Sequence, residues 1–349
     1  MSSSPPSRPA ELKVACIGAG YFSQFHLDGW RRIDGARLVG ITDSDPERAR
    51  ATSLPVFADL AQMLDRARPD ILDIIVPPEG HAEAIRTGLA HGGLKAIICQ
   101  KPFCASLEQA EAMADLARQV GIPLIVHENF RFQPWYRAIR DQIGSGAIGT
   151  PLQATFRLRP GDGQGADAYL ARQPYFQTMP RFLIHETGVH WIDTFRFLFG
   201  DPTHVWADLA RVNPVIAGED AGHVLFHHPG GMRVLFDGNR NLDHSAQNTR
   251  CTMGEGLFEG TGGTLALHGD GSLSHRAFGA RAQTVVLGTD TSGTFGGDCT
   301  HALQSHVVRA LSGSGRIENL AHDYLTVLRI EQAVYRSAGT GTRIRLDAP

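Results

Sequence analysis

Three groups of residues in this chain have types and spacings that can do chemistry. The first is Gly18-Ala-Gly20 with Ser23, directly after the apolar run Leu12–Ile17. A glycine-rich turn from a strand into a helix aims backbone N–H groups and the positive end of the helix dipole at a phosphate. Gly18 makes the tight turn, Gly20 lets a pyrophosphate approach the backbone, and Ser23 is a small substitute for the usual third glycine. A lone pattern of this kind is weak evidence. Here it follows the first strand and opens a helix expected over residues 22–30. Asp43 then ends the next apolar run, 38–41, close to the spacing of about 20 expected for a ribose-binding acid. A carboxylate there accepts hydrogen bonds from a ribose diol and repels a 2′-phosphate, so the pattern predicts NAD, with NADP less favoured. Arg48 is the residue able to offset that preference.

The second group is Lys101, after the apolar run Ala96–Cys99, with Pro102 expected to hold it extended. A half-buried lysine beside a positively charged nicotinamide has its pKa lowered, which suits acid–base work. A lysine at a strand end is more often a solvated charge. The third group, Glu186, His190 and Asp193, lies on a helix predicted over residues 181–199. Glu186 and His190 are four apart and share a face. The carboxylate can orient the imidazole, or both can grip a substrate hydroxyl, and Asp193 reaches the same neighbourhood. Val189, Ile192, Phe195, Leu198 and Phe199 bury the rest of the helix, and a histidine in such company is often a satisfied core residue. His185 and His190 point about 140° apart on a helix, unlike H-E-x-x-H. His223, His227, His228 and His244 form no ligand set, so no metal is expected. Arg131, Arg157, Arg159, Arg172 and Arg181 read as solubilising charges or, in part, as a clamp for a substrate carboxylate.

The elements that must position these groups change in character along the chain. Strands are predicted at 12–17, 37–41, 71–76, 96–99 and 124–126, with helices between them, for example 81–91 and 107–120. Near-continuous apolar strands alternating with helices imply an α/β doubly wound parallel sheet, with ligands at the carboxyl ends of its strands. Gly18-Ala-Gly20, Pro77-Pro78 and Lys101-Pro102 fall at those ends. Beyond residue 149 come a strand at 150–159, a loop at 160–165 (PGDGQG) expected to be flexible, the helix at 181–199 and several strands divided by Gly, Asp and Asn turns. That order predicts an α+β domain with a large, mostly antiparallel, open-faced sheet. Helices near 301–311 and 323–337 and a strand at 343–346 close the chain. The division read is a disordered tail over 1–10, a nucleotide-binding domain over 11–130, and a substrate-binding and oligomerisation domain over 131–349. The closing helices are candidates to pack back on the first domain.

The 349 residues are enough for two cores, and 42% hydrophobic with 20% charged residues describes a soluble globular protein. A net charge of −3 gives no reason to expect nucleic acid or an anionic membrane as partner. Five scattered cysteines without a C-x-x-C pair fit a reducing cytoplasm. The first ten residues lack the apolar core of a signal peptide, and no apolar run approaches the roughly 20 residues of a membrane span.

Taken in order, these segments resemble the glucose–fructose oxidoreductase and inositol dehydrogenase (Gfo/Idh/MocA) family. The loop from Gly18 to Ser23 is similar to its nucleotide loop, and Pro77-Pro78 with His81 to its T-P-x-x-x-H segment. Cys99-Gln-Lys-Pro102 resembles E-K-P, with Gln100 for Glu. The stretch from Glu186 through Gly188 and His190 to Asp193 resembles D-x-G-x-H-x-x-D, with Glu186 for Asp. Residues 258–265 resemble a strand turn of its second domain, and 323–335 its C-terminal helix. The resemblance implies Lys101 and His190 as the catalytic pair with Glu186 assisting, and cofactor contacts from Gly18, Gly20, Tyr21, Phe22, Asp43, Pro77, His81, Gln100, Lys101 and Asn129. It implies an NAD-dependent dehydrogenase acting on a hydroxyl of a cyclic polyol, sugar or sugar acid, and a homodimer or homotetramer. Arg131, Arg159, Arg172 and Arg181, with Tyr175, are expected near the substrate and hint at an acidic sugar; Trp191 offers a stacking face or a packing role. Two other classes share the fold: redox-neutral NAD-dependent glycoside hydrolases or isomerases, and NAD-binding sugar sensors without turnover.

Overall fold

The computed structural model describes residues 11–346. The chain divides into two compact units, residues 11–128 with 300–325, and residues 129–299 with 326–346. The first holds five strands, β1 (Leu12–Ile17), β2 (Ala36–Thr42), β3 (Ile71–Ile74), β4 (Ala96–Cys99) and β5 (Leu124–Val126). They pair in the order β2-β1-β3-β4-β5, all parallel. Val14, Ala15 and Cys16, all of β3 and all of β4 are buried, so both faces of the sheet are covered and the strands read as apolar runs. Helices α1 (Ser23–Arg31), α2 (Pro46–Ala51), α3 (Leu60–Ala67), α4 (Pro78–His91) and α5 (Leu107–Val120) connect them. Short polar side chains start three of these helices by accepting backbone N–H bonds: Asp45 from Glu47, Asp59 from Gln62 and Ser106 from Gln109.

The second unit carries α6 (Pro134–Gly144), β6 (Pro151–Leu158), α7 (Val189–Phe199), β7 (His204–Ala210), β8 (Ala221–His227), β9 (Arg233–Asn239), β10 (Gly254–Gly260), β11 (Gly263–Leu267), β12 (Leu273–Ala277) and β13 (Thr284–Leu287). Helices α8 (Cys299–Leu311) and α9 (Ala321–Thr340) and strand β14 (Ile344–Arg345) follow, the unit boundaries falling at the start of α8 and within α9. The nine strands form one sheet, β13-β12-β11-β10-β6-β9-β8-β7-β14. Every pair is antiparallel except β6 with β9. Alternation assigns its faces: Phe156, Val234, Phe236, Phe258 and Leu265 are buried, while Trp206 and Leu257 on the other face are exposed. Helix α7 lays Trp191 on Phe156 and Phe236, with ring centroids 4.6 and 5.6 Å apart, and Phe195 on Phe226. Each such aromatic contributes about 1.5–3 kcal/mol by burial, which seats the helix on the sheet.

Two expectations change. The helix predicted over 181–199 starts as a π-helical turn, Leu183–Gly188, and becomes α-helical only at Val189. Glu186 and His190 therefore lie on two different helical geometries, and the four-residue spacing does not by itself put them on one face. The loop at 160–165 is tied down: Gly161 N donates to Leu242 O, Gly163 N to Arg240 O, and Asp162 accepts three side chains. The reading from sequence named no element at α6, whose aromatics Trp135 and Tyr136 are fully buried. The expected tail, residues 1–10, lies outside the described residues. No helix among the described residues is long and apolar enough to cross a membrane.

Candidate active site

In the first unit, the turn after β1 is built for close approach. Gly18 has φ +104°, and a Cβ there would stand 2.6 Å from the Ile75 carbonyl oxygen, so only glycine fits. A Cβ on Gly20 would meet no atom within 4 Å, leaving its backbone open to a ligand. Ser23 closes the turn by donating from Oγ to Gly20 O at 2.7 Å. No side chain caps the start of α1 and no acidic residue lies in its first turn, so its N–H groups suit an anion. Half-buried Asp43 accepts from Ala19 N through Oδ2 at 2.6 Å and from Asp45 N through Oδ1 at 2.7 Å. Each oxygen keeps a lone pair for a ribose hydroxyl. Exposed Tyr21 and half-buried Phe22 border this turn, and Pro77 is exposed just before α4. These residues fit the phosphates and ribose of a dinucleotide.

His81, expected as a cofactor contact, has both ring nitrogens engaged within the protein. Its ring is fully buried, Nε2 facing Val76 O at 2.8 Å and Nδ1 accepting from Cys104 N at 3.2 Å. The backbone donor fixes the proton on Nε2, and burial holds the imidazole below its usual pKa, so it stays neutral. His81 braces the loop after Lys101 against the loop before α4. Lys101 is half-buried, and its peptide with Pro102 is cis. Gln100 is buried and engaged within the protein at both ends: Oε1 accepts from Lys101 N, and Nε2 contacts His26 Nε2, each at 2.8 Å.

In the second unit, His190 stands in the first turn of α7 with its ring stacked on Phe130, centroids 3.8 Å apart and planes 4° apart. That contact fixes the imidazole plane. Asn129 is buried just before Phe130, and its carbonyl accepts from Phe132 N. The π-helical turn carrying Glu186 is anchored by Glu219, whose Oε1 accepts from Phe182 N at 3.2 Å and Ile184 N at 3.1 Å. Glu186 Oε2 accepts from Thr187 Oγ1 at 2.8 Å, and Thr187 Oγ1 accepts in turn from Arg240 Nη1 at 2.5 Å. Arg240, only 2% exposed, also donates from Nη2 to Asp162 at 2.9 Å and from Nε to Tyr169 Oη at 2.8 Å, under the rings of Tyr169 and Phe182. Glu186 Oε2 is 4.0 Å from the same guanidinium.

Of the six residues expected near the substrate, Trp191, Arg159 and Arg131 are engaged within the protein. Trp191 is 1% exposed, inside the aromatic core with Nε1 donating to Tyr136 Oη, so its face cannot receive a sugar ring. Arg159 is buried and donates to the carbonyl and carboxylate of Asp237 at 2.7 and 2.6 Å. Arg131 forms a two-pronged pair with Asp193 at 2.7 and 2.5 Å, closing its fork on an internal carboxylate. Arg172 is partly exposed and 3.3 Å from Asp162. Arg181 is exposed, its guanidinium over the ring of Tyr335. Sequence reasoning missed His26, Asp73, Asp162, Phe130 and Arg240. Asp73 did carry a signal, a carboxylate inside a strand buried on both faces. Arg240, in a polar turn sequence, carried none. Among the described residues, no three His, Cys, Asp or Glu side chains are grouped to hold a metal ion.

Fold and turn together define an NAD-binding oxidoreductase. Residues 12–128 match the oxidoreductase family with an NAD-binding Rossmann fold, and residues 136–264 match the GFO/IDH/MocA C-terminal domain. A D-apiose dehydrogenase of Paraburkholderia graminis is 34% identical, over 97% of this chain and 90% of its own. Another, from Rhizobium rhizogenes, is 30% identical over 97% and 98%. The crystal structure of an oxidoreductase from Agrobacterium radiobacter, in complex with NAD+, L-tartaric acid and magnesium, is 30% identical and superimposes with a TM-score of 0.86, covering 96% of this chain and 98% of that one. The chain belongs to the Gfo/Idh/MocA family, in agreement with the motifs read from its sequence.

Proposed function

We propose that this protein is an NAD-dependent dehydrogenase that oxidises a ring hydroxyl of a neutral sugar of the size of D-apiose. The observation that carries the choice of a neutral substrate is the internal pairing of the arginines. Arg131 pairs with Asp193 and Arg159 with Asp237, while Arg172 and Arg240 share Asp162, with Glu186 4.0 Å from Arg240 as the second carboxylate. A guanidinium so paired offers no net charge to a substrate carboxylate, whereas the remaining donors and acceptors suit hydroxyl groups. The two D-apiose dehydrogenases that match nearly the whole chain support the same class.

NAD, when bound, supplies the hydride acceptor. The residues of this chain bind it and handle the proton. Gly18, Gly20 and the start of α1 take the pyrophosphate, and Asp43 takes the ribose diol. Lys101 and His190 are the acid–base groups for the reacting hydroxyl, with the His190 plane set by Phe130 and the Glu186 carboxylate set by Thr187 and Arg240. Lys101→Ala is expected to lower kcat by about 10²–10⁴-fold with NAD affinity retained. Near-normal turnover would refute its role. The assay follows NADH absorbance with NAD+ and a panel of aldoses, inositols and aldonates. A Lys101-dependent signal confined to neutral sugars supports the proposal. Turnover of aldonates in preference would favour a second reading, a hydroxy-acid substrate, which rests on exposed Arg181 and on the tartaric acid held by the Agrobacterium radiobacter relative.

A further inference from the structure

Beneath Lys101 runs a buried chain of hydrogen bonds that the dehydrogenase reading does not use. Asp73, in the middle of β3, and His26, in α1, both have fully buried side chains. Asp73 Oδ2 lies 2.8 Å from His26 Nδ1 and also accepts from Trp30 Nε1 at 2.7 Å. His26 Nε2 lies 2.8 Å from Gln100 Nε2, and Gln100 Oε1 accepts from Lys101 N at 2.8 Å. Donor and acceptor roles follow from the chemistry of the groups. A backbone N–H only donates, so the carbonyl end of Gln100 faces Lys101 and its NH2 faces the ring. An amide NH2 only donates, so His26 Nε2 accepts and the ring proton is on Nδ1, where the Asp73 carboxylate accepts it. Every link is consistent with the next, and reversing the Gln100 amide would set two donors against each other at Lys101 N. The ring is further held by a tilted stack on His127, with centroids 4.1 Å apart.

We propose that His26 is a positioning residue for Lys101, acting through Gln100, and that glutamine at position 100 sets the chain with a neutral imidazole. The proposal rests on the reading of Lys101 as an acid–base group. Asp73 orients His26, His26 orients the Gln100 amide, and Gln100 holds the backbone N–H of the residue whose amine serves the reacting oxygen. A carboxylate at position 100 has no N–H to give, so it can rebuild the chain only if His26 also carries a proton on Nε2.

The test uses the full-length protein and the variants His26→Leu, Gln100→Leu, their double and Gln100→Glu. Imidazole ¹⁵N NMR of histidine-labelled protein, with the His26 signal assigned by its loss in His26→Leu, is expected to show protonated Nδ1 and bare Nε2 in the native protein. In Gln100→Glu it is expected to show both nitrogens protonated. A native His26 protonated on Nε2 overturns the chain without reference to activity. In turnover, each leucine variant is expected to lose about 10–100-fold in kcat, the scale of one or two lost hydrogen bonds, with the NAD dissociation constant little changed. The double is expected to lose no more than the worse single, because both cut one chain. Gln100→Glu is expected to retain more turnover than Gln100→Leu. Additive losses, or an unchanged kcat in folded His26→Leu, would overturn the positioning role. If instead Lys101→Ala keeps normal turnover, the reading of Lys101 fails, while the NMR result for His26 still stands on its own.

Discussion

Replacing Arg240 by methionine tests whether the buried cation organises the turn that carries Glu186. The guanidinium is 2% exposed and donates to Asp162, Tyr169 and Thr187, with Glu186 at 4.0 Å. Methionine fills much of the volume but removes the guanidinium that lies beside both Asp162 and Glu186, leaving Asp162 its longer 3.3 Å contact with Arg172. Removing one member of a buried ion pair typically costs about 3–5 kcal/mol. Asp162 and Glu186 are each 18% exposed and regain some hydration, so the lower end, about 3 kcal/mol, is expected. With a urea slope of about 3 kcal/mol per molar, the midpoint should fall by about 1 M. The assay is urea unfolding followed by tryptophan fluorescence, since Trp191 lies in the same unit. Asp162→Asn and the double variant complete a cycle, in which the double should fall short of the sum by about 1–3 kcal/mol. Turnover at temperatures where the variant remains folded should also drop, through displacement of Glu186. A loss below about 1 kcal/mol would equal an exposed pair and refute the organising role.

Other expectations follow from the same geometry. Asp43→Ala removes two bonds that hold the turn and the carboxylate proposed to take the ribose diol, so kcat/KM for NAD should fall about 10–100-fold while NADP use rises; unchanged cofactor preference would argue against the assignment. Burial holds His228 down to about 4 and His81 below its usual range. His228 stays neutral in the folded chain down to about pH 4, His81 is shifted the same way, and both charge near pH 6.5 when unfolded, so the unfolded state binds more protons below that pH. Stability should therefore fall as pH drops from about 6.5 towards 4, by up to about 1.4 kcal/mol per unit for His228, with His81 adding in the same direction. Urea midpoints at several pH values measure the slope, and His228→Leu should flatten it. No metal is expected from the sequence, so EDTA should leave NADH production unchanged; loss restored by a divalent cation would contradict this.

The legible parts of this protein are those where chain-local physics dominates. Strands β1, β4 and β5 and helix α5 have the bounds expected from apolar runs, because a strand buried on both faces tolerates little else. The nucleotide turn was legible because Gly18 is required by the Ile75 carbonyl, and such a requirement shows as glycine in the sequence. The π-helical turn was not legible: it is imposed by Glu219, which binds Phe182 and Ile184 from more than thirty residues away. The arginines misled for a related reason. Residue type announces a charge, but whether that charge meets substrate or an internal aspartate depends on contacts such as Arg131 with Asp193 and Arg159 with Asp237, distant in sequence.

The sequence by itself determined the parallel nucleotide-binding sheet, the second sheet, the cofactor and the family, since these rest on periodicity, turn chemistry and the order of short motifs. Only the tertiary structure decided which polar side chains are committed inside. His81 became a brace, Trp191 a core residue and Gln100 a link between His26 and Lys101. The physical reason is that a hydrogen bond or ion pair is defined by distance and direction in space, and burial makes each such pairing obligatory. One residue type therefore serves a substrate in one place and the fold in another.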